Sequence, residues 1–71
     1  MLKVGNTVIR KKDTKNGQAK PKKYEIVARQ FIDWVMEDDG MFPVYTYALK
    51  DVNTGKKVPG MFEDSELNRV L

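Results

Sequence analysis

Apolar and polar residues alternate most regularly from Val44 to Lys50, where Tyr45, Tyr47 and Leu49 point one way and Val44, Thr46, Ala48 and Lys50 the other. Aromatic and β-branched residues at period two predict a half-buried strand. Asp51-Val-Asn-Thr-Gly55 follows with turn chemistry, because Asn and Gly tolerate positive φ and an Asp carboxylate bonds its own backbone. Lys56 to Val58 predicts a return strand, Pro59-Gly60 a break, and Met61-Phe62 a resumption of the apolar pattern. Asp64 or Ser65 is placed to cap one helical turn carrying Leu67, and Asn68 to Leu71 closes the chain as a last strand.

The first half is less regular. Val4-Gly5-Asn6-Thr7-Val8-Ile9-Arg10 predicts a turn and then a strand, with Val4 and Val8 as core anchors. Residues 12–22 hold no large apolar side chain and predict a mobile, solvated loop. From Tyr24 to Met36 the chain is rich in apolar residues. Tyr24, Ile26 and Ala28 alternate, but Phe31 and Ile32 are adjacent, which predicts a bulge or bend beyond Gln30. Val27, Phe31, Trp34 and Val35 also fit a helical spacing; the β-branched and aromatic content and the tight turn Glu37-Asp-Asp-Gly40 favour a strand. Pro43 starts the next strand. Five short strands, a loose loop after the first and a helical turn before the last describe an all-β, five-stranded SH3-like barrel occupying residues 1–71 as one domain.

Composition narrows the function classes. A chain of 71 residues stands near the lower limit for stability by burial alone, and without Cys it has neither disulfide nor thiolate metal site. It also has no His, the commonest general base and metal ligand. No apolar run reaches the roughly 18 residues of a membrane span, and the amino terminus has no hydrophobic signal core. The expectation is a cytoplasmic, non-enzymatic domain with no cofactor, no membrane contact and no small-molecule substrate. Charge is uneven. Arg10 to Lys23 carries seven basic residues and one acid, +6 of a net +3, so the remainder carries −3. Asymmetry of this kind bears on partners rather than on fold.

The carboxy-terminal half resembles the SH3-like C-terminal domains of retroelement-type integrases, especially those of large self-synthesising DNA transposons. The residues that carry the resemblance are Tyr47, Leu49, Asp51, Gly55, Gly60, Phe62, Glu66 and Leu67, with Val70 after them, and the opening Val4-Gly5-Asn6-Thr7-Val8. Small phage and bacterial barrels share many of these positions. With no catalytic core and no Cys or His for a zinc region, the resemblance implies a non-catalytic module that binds nucleic acid or a larger protein.

The leading candidate for that role is a basic stretch that contacts nucleic acid, and the runner-up is an aromatic and acidic surface that docks a protein. Arg10, Lys11, Lys12, Lys15, Lys20, Lys22 and Lys23, with Arg29 as a further candidate, form a basic stretch suited to DNA or RNA phosphates. Lys predominates, which points to backbone contact without sequence reading; the plainer reading is a solubilising loop or an acidic partner. The second is aromatic and acidic: Trp34 and Phe42 flank Glu37, Asp38 and Asp39, with Asp33 nearby. Exposed, these would dock a protein partner, for instance as a phage-type accessory module on a host or virion protein. Tyr24 and Tyr47 read as core. The four acids lack any cation-loop spacing, and Ser65 and the Thr residues lack an activating base.

Overall fold

The computed structural model describes residues 2–15 and 21–70. The chain forms β1 (Thr7–Arg10), a short helix α1 (Lys11–Lys15), β2 (Tyr24–Glu37), β3 (Gly40–Asp51), β4 (Phe62–Glu63), a 3-10 turn (Asp64–Glu66) and β5 (Leu67–Arg69). These make one five-stranded antiparallel sheet in the order β4-β3-β2-β1-β5. The expected all-β fold is therefore present, with the helical turn directly before the last strand. β4 and β5 lie at opposite edges, yet only the 3-10 turn joins them. A flat five-stranded sheet is about 19 Å from first to last strand. Four residue steps reach about 14 Å when extended and about 8 Å as a 3-10 turn. The sheet must curl to bring these edges toward each other.

Curling encloses a small core on one face. Leu2, Val8, Tyr24, Ile26, Tyr47, Leu49 and Leu67 are buried, with Tyr45, Val58 and Phe62 packed against them. Tyr24 and Tyr47 are core, as their alternation predicts. Val4 is not: it stands 56% exposed, and Leu2 fills the place expected of it. The Gly5-Asn6 turn instead joins the ladder by backbone, since the Gly5 N–H donates to the Ile26 carbonyl (2.8 Å) and the Ile26 N–H to the Asn6 carbonyl (3.0 Å).

Four other expectations change. Residues 12–15 of the expected loop are helical, and residues 16–20 of it lie outside the described residues; Thr14 Oγ1 donates to the Lys11 carbonyl at 2.7 Å and Asp13 binds Arg10. The return strand at Lys56–Val58 shrinks to a single bridge between Lys57 and Lys50, because Pro59 cannot donate to a ladder. Neither Asp64 nor Ser65 caps the 3-10 turn; Glu63 occupies the cap position without a side-chain bond. β3 begins at Gly40, three residues before Pro43, so that the hairpin from β2 is continuous from Tyr24 to Asp51.

That hairpin carries two register shifts, at Val27 and at Ile32. The second is the predicted slip beyond Gln30. The first has no apolar doublet to announce it, and it exchanges faces: Ile26 opposes Leu49 in the core, while Ala28 opposes Ala48 on the other side. Asp51 holds the far turn, its Oδ1 accepting the Asn53 N–H (2.7 Å) and the Thr54 N–H (3.2 Å). Gly40 closes the near turn with φ +137°, a conformation that side-chain-bearing L residues rarely adopt.

Candidate interaction surface

β1 pairs with β2 only at Tyr24 and Glu25, and β4 pairs with β3 only at Thr46 and Tyr47. Beyond those levels β2 and β3 continue together as a two-stranded arm, Phe31–Glu37 with Gly40–Tyr45, that has an open edge on each side. The molecule is correspondingly long, 37 × 24 × 22 Å, with a radius of gyration of 13.0 Å. A compact chain of this size would have about 11 Å. The arm accounts for the elongation.

Cross-strand partners share a face, so the register sorts its side chains. Phe31 opposes Tyr45, Trp34 opposes Pro43, and Met36 opposes Met41, all on the face that is core at Tyr47 and Leu49. The ring of Phe31 meets Trp34 edge-on at 5.7 Å and Tyr45 edge-on at 5.8 Å. Val35 opposes Phe42 on the reverse face. Phe31, Ile32, Trp34, Val35, Met36, Met41 and Phe42 are each between 42% and 77% exposed. Large apolar side chains thus stand on both faces of a ribbon that nothing among the described residues covers. Isolated two-stranded hairpins are marginal in water, and contiguous exposed apolar surface marks a contact site.

The open edge of β3 is blunted by Pro43, a residue sheets accept at edges because it has no N–H to offer. A groove of about 310 Å³ runs along this edge, lined by Val35, Phe42, Pro43, Val44, Tyr45 and Tyr47, with the carboxylates of Glu37 and Asp64 added. Burial, and then the Asp64 carboxylate, raise the Tyr47 phenol above its ordinary 10.0, while Arg29 pulls the other way. Asp33 sits at the second bulge, its Oδ1 accepting the Trp34 N–H at 2.7 Å. With Glu37, Asp38 and Asp39 it makes the tip of the arm acidic. Among the described residues no three carboxylates come together as a metal-holding group.

The basic residues gather at the opposite end, though not as one patch. Arg10 is committed inside the fold: its Nε donates to Asp13 Oδ2 at 3.1 Å and its Nη2 to Oδ1 at 3.3 Å. Its guanidinium also lies over the rings of Tyr24 (5.1 Å) and Phe62 (6.0 Å). Lys11 is half-buried and Lys12 exposed on α1, where they and Arg10 face Phe62, Ser65 and Glu66 across a cleft of about 270 Å³. Lys22 and Lys23 are exposed just before β2, and Lys15 ends α1. Lys20 lies outside the described residues. Arg29 stands apart, opposite Tyr47 at the root of the arm, with its guanidinium over the Tyr45 ring at 4.5 Å.

Trp34, Phe42 and the acidic tip were legible in the sequence; Phe31, Ile32, Val35, Met36 and Met41 were missed as exposed. The signal was there, since apolar residues on both parities of a strand demand cover on two faces, and a single sheet of 71 residues has only one core. No helix among the described residues is long and apolar enough to cross a membrane. No family model, curated protein or solved structure matches the chain, so the likeness to integrase C-terminal domains rests on the residues quoted for it.

Proposed function

We propose that the chain is a non-enzymatic protein-interaction module and that the β2–β3 arm is its docking element. The observation that carries this reading is the exposure of seven large apolar side chains on both faces of a projecting ribbon, beside an acidic tip. Burial of such surface is the dominant favourable term in association. Aromatic residues and Met are the types enriched where proteins meet, and Phe31, Trp34, Met36, Met41 and Phe42 are of these types. The test is a photoreactive phenylalanine analogue placed at Trp34, with Asn53 in the far turn as control, irradiated in cells that produce the chain. Discrete adducts from position 34 and none from position 53 are expected. No adduct from either position rejects the reading.

A second reading, contact with DNA or RNA phosphates, is favoured by one observation: Lys11, Lys12, Lys22 and Lys23 make no ion pair among the described residues. Their register places them together, because β1 runs into α1 beside the start of β2. Four such contacts on duplex DNA give a log–log salt slope of about −4 in fluorescence anisotropy. A salt-independent signal, or none at low salt, rejects it. Arg10 already pairs with Asp13, and Arg29 stands apart from these lysines over the Tyr45 ring.

A further inference from the structure

The docking reading leaves the chemistry of the partner open. Resting on that reading, we infer that the groove along the β3 edge receives an extended segment of a partner protein, with a basic side chain at each end of an apolar stretch. The early end of β4 builds the site. β4 pairs with β3 only at Thr46 and Tyr47, so the edge from Gly40 to Tyr45 is open. Phe42, Pro43 and Tyr45 supply its apolar floor. Each end holds one carboxylate. Asp64 follows Glu63, the partner of Thr46, and so lies at the level of Tyr45, whereas Glu37 opposes Gly40. Five steps of strand, about 17 Å, separate the two levels. An extended peptide covers that span in about five residues.

Charge selects the occupant. Among the described residues no base lines the groove, and neither Glu37 nor Asp64 forms an ion pair. Apolar walls strengthen a charge interaction by lowering the local dielectric. A Lys or Arg stem lies along apolar surface while its head reaches a carboxylate, and an aromatic face attracts the same head. Tyr45 already does this within the molecule, since the Arg29 guanidinium, coming from β2, lies over its ring at 4.5 Å. Other occupants fit worse. An acidic or phosphate-bearing ligand meets a carboxylate at each end. A strand added through its backbone alone finds no N–H at Pro43. A second copy laid antiparallel on residues 31–36 and 41–43 sets its own acidic tip, residues 37–39, beside Glu63 and Asp64. That arrangement opposes acid to acid.

The test is selection from a displayed library of random dodecapeptides against the immobilised full chain. Three baits are compared: the wild type, a groove variant (Glu37→Gln with Asp64→Asn) and a tip variant (Asp38→Asn with Asp39→Asn). All four positions are exposed, and circular dichroism checks that each variant is folded. The wild type and the tip variant should enrich peptides with two basic residues around an apolar stretch, and the groove variant should not. In fluorescence anisotropy the most enriched peptide should bind the groove variant about tenfold or more weakly at low salt, and the tip variant within about twofold of wild type. Selected peptides without basic residues overturn the inference, as does an equal loss in both variants, which would make the attraction one of general acidity. A chain that pairs with itself in sedimentation and thereby excludes the peptide overturns it in favour of a second copy. If position 34 cross-links to another protein but selection returns no basic peptide, this inference fails and the docking reading stands. If neither occurs, both fail.

Discussion

Replacing Leu49 by Ala should destabilise the chain far more than replacing Trp34 by Ser, although Trp34 is the larger residue. Leu49 is 1% exposed, opposes Ile26 in the register, and its carbonyl accepts the Val58 N–H at 2.9 Å. Truncating a buried Leu costs about 2–5 kcal/mol, part lost transfer and part cavity. A domain of this length has about 4–10 kcal/mol in all. A loss near 3 kcal/mol therefore removes a third or more of the stability and lowers Tm by about 15 °C. Trp34 is 53% exposed, and its recorded ring contact is the edge of Phe31 at 5.7 Å. Such a pair is worth about 0.5–1.5 kcal/mol, so Trp34→Ser should cost about 1 kcal/mol. The assay is urea unfolding followed by far-ultraviolet circular dichroism, at one chain concentration dilute enough to keep the protein monomeric. Equal losses for the two variants would refute the division into core and arm.

Four further outcomes are expected. Arg10→Ala should cost about 2 kcal/mol, and Arg10→Lys should recover little of it, because the two-point bond to Asp13 and the stacking over Tyr24 need a guanidinium; full stability in the Lys variant would contradict this. Gly40→Ala should cost at least about 1 kcal/mol from the φ of +137° alone, read as a shift in urea midpoint. Thr46 Oγ1 is buried with no partner among the described residues, so Thr46→Val should be neutral or stabilise by about 1 kcal/mol, and a loss on calorimetry would mean that the hydroxyl is satisfied. Finally, Tyr47 ionises less readily folded than unfolded; its contribution to stability is intact below pH 10.0 and falls as pH rises above it, and Asp64→Asn should soften that fall in a pH series of urea midpoints.

Strands β1, β2, β3 and β5 were legible because each rests on local chemistry. Alternation at Tyr45, Tyr47 and Leu49 fixes which face of β3 is core, and Asp51 to Gly55 contains its turn in full. What could not be read there depends on distant parts of the chain. Val4 and Leu2 are equally apolar, and only the path of the Gly5-Asn6 turn along Ile26 decides which is covered. The five residues of α1 have no apolar periodicity; an ion pair and one hydroxyl bond hold them instead. The bulge at Val27 lies just past the level where β2 is matched to two partners at once, Thr7–Val8 on one side and Lys50–Asp51 on the other. As for the interaction surface, residue types were visible but exposure was not. Trp34 and Val35 look alike in a list of apolar residues, and it is the early ends of β1 and β4 that leave both uncovered.

Hydrogen exchange along the arm tests the central claim most directly. An uncovered two-stranded ribbon opens locally at low cost, whereas core strands open only with the whole domain. The amides of Phe31–Glu37 and Gly40–Tyr45 should exchange fast and those of Val8, Ile26 and Leu49 slowly. Protection of the arm equal to that of the core would contradict the account.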